Sequence, residues 1–210
     1  MKISYAITVH NEAEELNKLL EVLIYKTDVE DEIVICDDYS DEDTQEVITS
    51  WTQQYAHTKV INVYQHKFEG DFWKLKNYSK SKCSGDYIFH IDADEYPHEQ
   101  LLFQIKEILE TNDIDLAWIP RVNTVEGLTE EHIRKWGWRV TENGWINYPD
   151  YQARVFRNNE KIKWIKPVHE VITGADTYSH LPPYEEFSLY HPKAIDKQEK
   201  QNSLYSTIKR

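Results

Sequence analysis

Cysteine, basic residues and long apolar runs are all scarce in this sequence, and each shortage excludes a class of protein. The two cysteines, Cys36 and Cys83, lie far apart in apolar surroundings. They read as small core residues in a reducing compartment and offer no disulfide framework. No apolar stretch approaches the length of a membrane span, so no integral membrane span is expected. The opening Met1 to Val9 runs straight into a strand pattern without a signal-peptide h-region or cleavage site, so a cytoplasmic location is expected. Lys and Arg number 24 against 37 Asp and Glu, a formal net charge of −13. That balance argues against a nucleic-acid partner, which would need a basic footprint. It leaves room for a nucleotide whose charge a metal neutralises locally. Internal repeats and low-complexity linkers are missing as well.

What is present is a chain with 40% hydrophobic and 13% aromatic residues, enough for one sizeable core and too short for two comfortable domains. Ile3 to Val9 reads as a strand, and Leu16, Leu19, Leu20, Leu23 and Ile24 then mark one face of a helix. Glu32 to Cys36 is a second strand, followed by a helix capped by Ser40 or Asp41 with Val47, Ile48 and Trp51 inward. Lys59 to Tyr64, Tyr87 to Ile91 and Asp115 to Pro120 read as further strands. Helical stretches are expected at Phe72 to Lys82 and Glu99 to Glu110, with Pro97 in the first turn of the latter. This alternation predicts an α/β fold with a mainly parallel central sheet and helices on both faces. The expected division is a single domain over 1–210. Residues 1–120 form a nucleotide-binding half, 121–192 an acceptor and catalytic half, and 193–210 a C-terminal helix. Asn123 to Tyr148, rich in tryptophan and glycine, reads as a mobile acceptor loop.

Three strands end in ligand-type groups: Thr8 with Asn11, Asp37 with Asp38, and Asp92 with Asp94. In a parallel sheet those exits share one edge, where ligands bind at the switch in strand order. The pair Asp92-Ala93-Asp94 alone fits either a divalent-metal site, since hard oxygen ligands suit Mg²⁺ or Mn²⁺, or an acidic helix start favoured by the dipole. The shared edge favours the site. His90, inside its strand, reads as structural.

Taken together, Ile7-Thr8-Val9-His10-Asn11-Glu12, Asp37-Asp38-Tyr39-Ser40, Gly85-Asp86-Tyr87-Ile88 leading to Asp92-Ala93-Asp94, and later Asp150, Arg154-Val155-Phe156-Arg157 and Val168-His169-Glu170 resemble family 2 glycosyltransferases of the GT-A fold. The likeness is to the branch related to lipopolysaccharide-core β-glucosyltransferases. The resemblance implies a metal-dependent, inverting hexosyltransferase with a DXD motif. It would use a nucleotide-diphosphate sugar, a UDP-sugar first among them, and a saccharide or other hydroxyl acceptor. By the same resemblance, Thr8, Asn11, Glu12, Asp37 and Asp38 line the nucleotide pocket, Lys76 and Asn77 face the nucleotide or donor sugar, and Asp92 contacts ribose or a metal-bound water. Asp94 holds Mn²⁺ or Mg²⁺, with His169 completing the shell and His191 in reserve. Asp150 is the general base, with Glu170 as its substitute, and Arg154 and Arg157 orient it or meet phosphate. Two positions depart from the pattern: Tyr39 stands where relatives carry Gly, and Tyr148-Pro149 precedes the base.

Two other readings stay open. One is a sugar-phosphate nucleotidyltransferase, although such enzymes carry a basic, glycine-rich phosphate loop and here His10 to Glu15 is acidic and glycine-free. The other is a non-catalytic nucleotide- or sugar-binding module.

Overall fold

In the computed structural model, which describes residues 1–167 and 170–207 with side chains through residue 202, helices and strands alternate from the first residues. β1 (Ile3–Val9) is followed by α1 (Ala13–Lys26), β2 (Glu32–Asp37), α2 (Glu42–Gln54), β3 (Val60–Gln65), α3 (Phe72–Lys80) and β4 (Tyr87–Asp92). Next come β5 (Tyr96–Pro97), α4 (Glu99–Asn112), β6 (Leu116–Ile119), β7 (Arg121–Glu126) and α5 (Glu130–Trp136). The chain then runs through β8 (Gln152–Arg157), β9 (Lys163–Ile165), β10 (Val171–Thr173), β11 (Tyr178–His180), β12 (Leu189–Ala194) and α6 (Ile195–Thr207).

The central sheet has seven strands in the order β11-β6-β8-β4-β1-β2-β3. β3, β2, β1 and β4 run parallel, and β8 is inserted antiparallel between β4 and β6. β1, β2 and β4 are apolar and buried nearly throughout, as strands covered on both faces must be. Leu16, Leu19, Leu20 and Leu23 of α1 and Leu101, Leu102, Ile105 and Leu109 of α4 join Tyr5, Ile7 and Phe89 in one core. A second core lies across the sheet, where Ala6, Ile88 and Phe156 meet Ile162 and Trp164 beside α3. Strand order reverses between β1 and β4, and Thr8 sits level with Asp92 there. This is the crevice the parallel-sheet rule singles out.

Asp41 caps α2, its carboxylate accepting from Thr44 N at 3.1 Å. The expectation for Pro97 is corrected. His98 is the N-cap of α4, and Pro97 lies outside the helix in β5, opposite Leu189 of β12. The acids Asp92, Asp94 and Glu95 therefore stand well before the helix start and do not serve its dipole. Asn123 to Tyr148 also has more structure than a loop. It contains most of β7 and all of α5, whose Thr129–His132 capping box closes its N-terminus. A small second sheet, β5-β12-β7, puts β12 parallel to β7 with His191 beside Asn123 and Leu189 beside Arg121. No helix among the described residues is long and apolar enough to cross a membrane.

Candidate nucleotide-sugar cleft

A cleft of about 890 Å³ opens at the switch point. Thr8, Glu12, Asp38, Lys76, Asp92, Asp94, Arg154, Glu170 and His191 all line it, together with Arg121, Asn123, Gln152, Lys193 and Lys197. The exits of β1 and β2 are joined by local bonds. Asn11, at φ 55°, donates its backbone N–H to Ser40 Oγ at 3.1 Å and accepts from Asp41 N at 2.7 Å. Tyr39 sits at φ 48°, left-handed geometry that glycine adopts freely and a bulky residue does not.

The donor side is built on Asp92. Its Oδ1 lies 3.2 Å from Lys76 Nζ and 3.2 Å from His90 Nε2, and its Oδ2 accepts from Arg154 at 2.6 Å. Burial opposes ionisation of this carboxyl, but the cations Arg154 and Lys76 hold it well below the usual carboxylate range. Lys76 also reaches Glu170 Oε1 at 2.6 Å and lies over the Trp164 ring. Asp94 faces β12 and α6. Its Oδ2 is 3.3 Å from both His191 Nε2 and Lys193 Nζ, and 4.0 Å from Lys197 Nζ. Against burial, His191 and Lys193 depress its pKa. Glu12, half-buried near Asp94, is pushed up to about 7 by burial first and by that neighbouring carboxylate second.

Asp150 is not itself one of the cleft's lining residues but is held by Arg121, Asn123 and Gln152, which are. Its Oδ2 accepts from Arg121 Nη2 at 2.6 Å, Arg121 Nε at 2.9 Å and Asn123 Nδ2 at 2.9 Å, while Oδ1 accepts, among the described residues, from Gln152 alone at 3.0 Å. Burial raises its pKa, but Arg121 and these hydrogen bonds outweigh burial and keep it ionised. Fully buried Glu95 links the two sides, since one oxygen accepts from Arg154 at 2.6 Å and from Arg121 at 2.8 Å.

Other expected site residues lie elsewhere. Asp37 is buried with both oxygens occupied by Ser40 N, Gln45 and Gln65. Asn77 pins β9 through the backbone of Trp164. Arg157 pairs with Asp113 and Asp115, at the opposite end of β4 from Asp92, because it registers with Tyr87. Arg154 bonds Asp92 and Glu95, and the arginine that orients Asp150 is Arg121. His169 lies outside the described residues. Glu95, Arg121, Asn123, Gln152 and Lys193 went unread in the sequence. The available signals were a third acid after Asp92 and Asp94, and the period-two polar pattern Arg121, Asn123 along β7.

A mainly parallel sheet with acids and a cation-lined cleft at its switch point is the arrangement of an α/β protein that binds its ligand at the carboxyl ends of the strands. Residues 4–173 match the family model for glycosyl transferase family 2, and the chain belongs to that family. It is 26% identical over 195 residues to the SPbeta prophage-derived glycosyltransferase SunS of Bacillus subtilis, covering 90% of this chain and 39% of that one. Its fold matches S. aureus TarS in complex with UDP-GlcNAc at TM-score 0.64 and 17% identity, over 92% of this chain and 59% of that one. Pyrobaculum calidifontis mannosyltransferase PcManGT, solved with GDP-Man and Mn²⁺, matches at TM-score 0.50 and 18% identity, over 57% of this chain and 35% of that one. The chain thus spans well under two thirds of these relatives' lengths, and what it shares with the two solved structures is the GT-A fold.

Proposed function

We propose that the chain transfers a sugar from a nucleotide-diphosphate donor to an acceptor hydroxyl by a single inverting displacement. The observation that carries this reading is the convergence of Asp92 and Asp94 at the switch point, with Asp150 bonded to Arg121, Asn123 and Gln152 of the same cleft's wall. The donor sits against Thr8, Asp38 and Lys76, with Asp92 toward its ribose. TarS binds UDP-GlcNAc and PcManGT GDP-Man, so UDP- and GDP-sugars are the donors to try first, UDP-sugars ahead.

The donor set fits a divalent ion. Asp94 Oδ2 and His191 Nε2 stand 3.3 Å apart and both line the cleft, and neighbouring ligands of one Mn²⁺ or Mg²⁺ lie about 3 Å apart at bond lengths near 2.1 Å. An oxygen–imidazole pair suits Mn²⁺ better than Mg²⁺. Among the described residues no group of three or more His, Cys, Asp or Glu side chains could hold a metal ion, so Asp94 and His191 would hold one only together with the donor's phosphates and water. When bound, the ion offsets charge that develops on the diphosphate as it leaves. Lys193 and Lys197, both within 4.0 Å of Asp94, add positive charge on the same side.

Asp150 accepts the acceptor's proton. Three bonds lock its Oδ2, while Oδ1, bonded among the described residues by Gln152 alone, keeps a lone pair for the hydroxyl. Glu170 lines the cleft with its Oε1 paired to Lys76 beside Asp92, and it is the substitute base in this reading. The acceptor enters past Trp138 and Asn147, which line the same cleft.

The test is diphosphate release from a panel of UDP- and GDP-sugars with saccharide acceptors. One donor class should turn over, and Asp150→Asn should lower kcat by about 10²- to 10⁴-fold while leaving diphosphate affinity unchanged. Turnover insensitive to Asp150→Asn would remove the base assignment.

A further inference from the structure

One amide stands between the two halves of this machinery. Asn123 of β7 pairs in register with His191 of β12, so both side chains fall on the same face of the small sheet. Asn123 Nδ2 donates to Asp150 Oδ2 at 2.9 Å, and Asn123 Oδ1 lies 2.7 Å from His191 Nδ1. The ionised Asp150 can only accept hydrogen bonds, so it fixes which end of the amide faces it. The oxygen of Asn123 must then face His191, and Nδ1 must carry the hydrogen that bridges them. In the neutral ring that leaves the Nε2 lone pair pointing at Asp94 Oδ2, 3.3 Å away. Without a metal, a proton on Nε2 bridges the two atoms and the ring is an imidazolium; in the neutral ring Nε2 is the nitrogen a metal ligand must keep free.

We infer that Asn123 is a positioning residue that serves both reactive groups at once. It fixes the tautomer of His191 toward the metal through its oxygen and the orientation of Asp150 through its nitrogen. The inference rests on the assignment of His191 to the metal and of Asp150 to the base. It adds a specific consequence: the two functions separate when the two ends of the amide are changed separately.

Asn123→Asp keeps an oxygen toward His191 and replaces the donor toward Asp150 with a second carboxylate. Asn123→Leu removes both ends. Mn²⁺ is titrated against each protein by EPR in the presence of UDP, and in a second arm GDP, alongside kcat and the melting temperature. The expected result is that Asn123→Asp binds Mn²⁺ at least as tightly as the native chain while kcat falls about 100-fold or more. Asn123→Leu should lose about 10- to 100-fold in Mn²⁺ affinity as well as turnover. A purely structural role would move affinity and kcat together in both variants, tracking the melting temperature, and would overturn the inference. So would Mn²⁺ affinity unchanged in Asn123→Leu. Should Asn123→Leu fail to fold, Asn123→Ser takes its place, with the same loss of affinity expected. His191→Ala and Asp150→Asn serve as controls: if the first leaves Mn²⁺ binding intact, or the second leaves kcat intact, the underlying assignments fail and not the link between them.

Discussion

Lys76 is the cation on which the donor side of the cleft converges. Its side chain is 6% exposed, it bridges Asp92 and Glu170, and it lies over Trp164. Removing one member of a buried ion pair leaves the other charges uncompensated, at a cost of about 3–5 kcal/mol when burial is complete. Asp92 is 31% exposed and water screens part of that, so Lys76→Met should cost about 2 kcal/mol in urea unfolding and weaken diphosphate binding. No change in either would show that the bridge is idle. Residues of this kind were partly legible. Asp92 and Asp94 showed because a hydrophobic run stops abruptly at acids, and Lys76 came with the family pattern. Asp37 had the same local signature as Asp38, yet its oxygens are consumed by its own turn and by Gln45 and Gln65. Sequence cannot separate two adjacent carboxylates that point in opposite directions from a strand end. Glu95 and Arg121 stayed hidden because their meaning lies in partners 26 to 59 positions away along the chain.

Among the elements, the hairpin of β9 and β10 brings Trp164 and Glu170 to the cleft wall. It depends on Gly174, which holds φ +88° and whose absent Cβ would lie 2.1 Å from the Lys161 carbonyl oxygen. Both the dihedral and the collision forbid a side chain there. Gly174→Ala should destabilise the chain by about 2 kcal/mol or more in chemical denaturation, and diphosphate affinity should fall as the hairpin shifts. A variant as stable as the native chain would mean that the hairpin is not anchored there. The repeated strand–helix units of the first half were readable because their hydrophobic periods are long and clean. The short elements were not. β8 enters the sheet antiparallel, and β5, with two residues, exists only through its pairing with β12. Such pieces carry little periodicity of their own and are specified by tertiary contacts.

At the scale of the whole molecule, acidity and stability are linked through two groups of opposite effect, buried His90 and half-buried Glu12. His90 is fully buried, and burial, reinforced by Lys76, lowers its pKa from 6.5 to about 4. The unfolded chain takes up a proton near 6.5 that the folded chain refuses, so His90 subtracts stability as pH falls from about 6.5 to about 4. Glu12, raised from 4.5 to about 7, binds a proton in the folded chain first and adds stability as pH falls between those values. The native profile therefore partly cancels, and the difference between variants isolates the histidine. Relative to the native chain, His90→Gln should gain about 2 kcal/mol between pH 7.5 and 4.5, at up to about 1.4 kcal/mol per pH unit. A parallel pair of profiles would contradict a neutral buried His90. The net charge of −13 sharpens the functional question, since an anionic nucleotide enters an acidic protein only where cations await it. The most direct measurement is calorimetric binding of UDP and GDP with and without Mn²⁺, on the native chain and on Asp94→Ala. One diphosphate should bind substantially tighter with Mn²⁺, and Asp94→Ala should abolish the gain. Binding that ignores Mn²⁺, or a gain that survives Asp94→Ala, would contradict the metal role of Asp94.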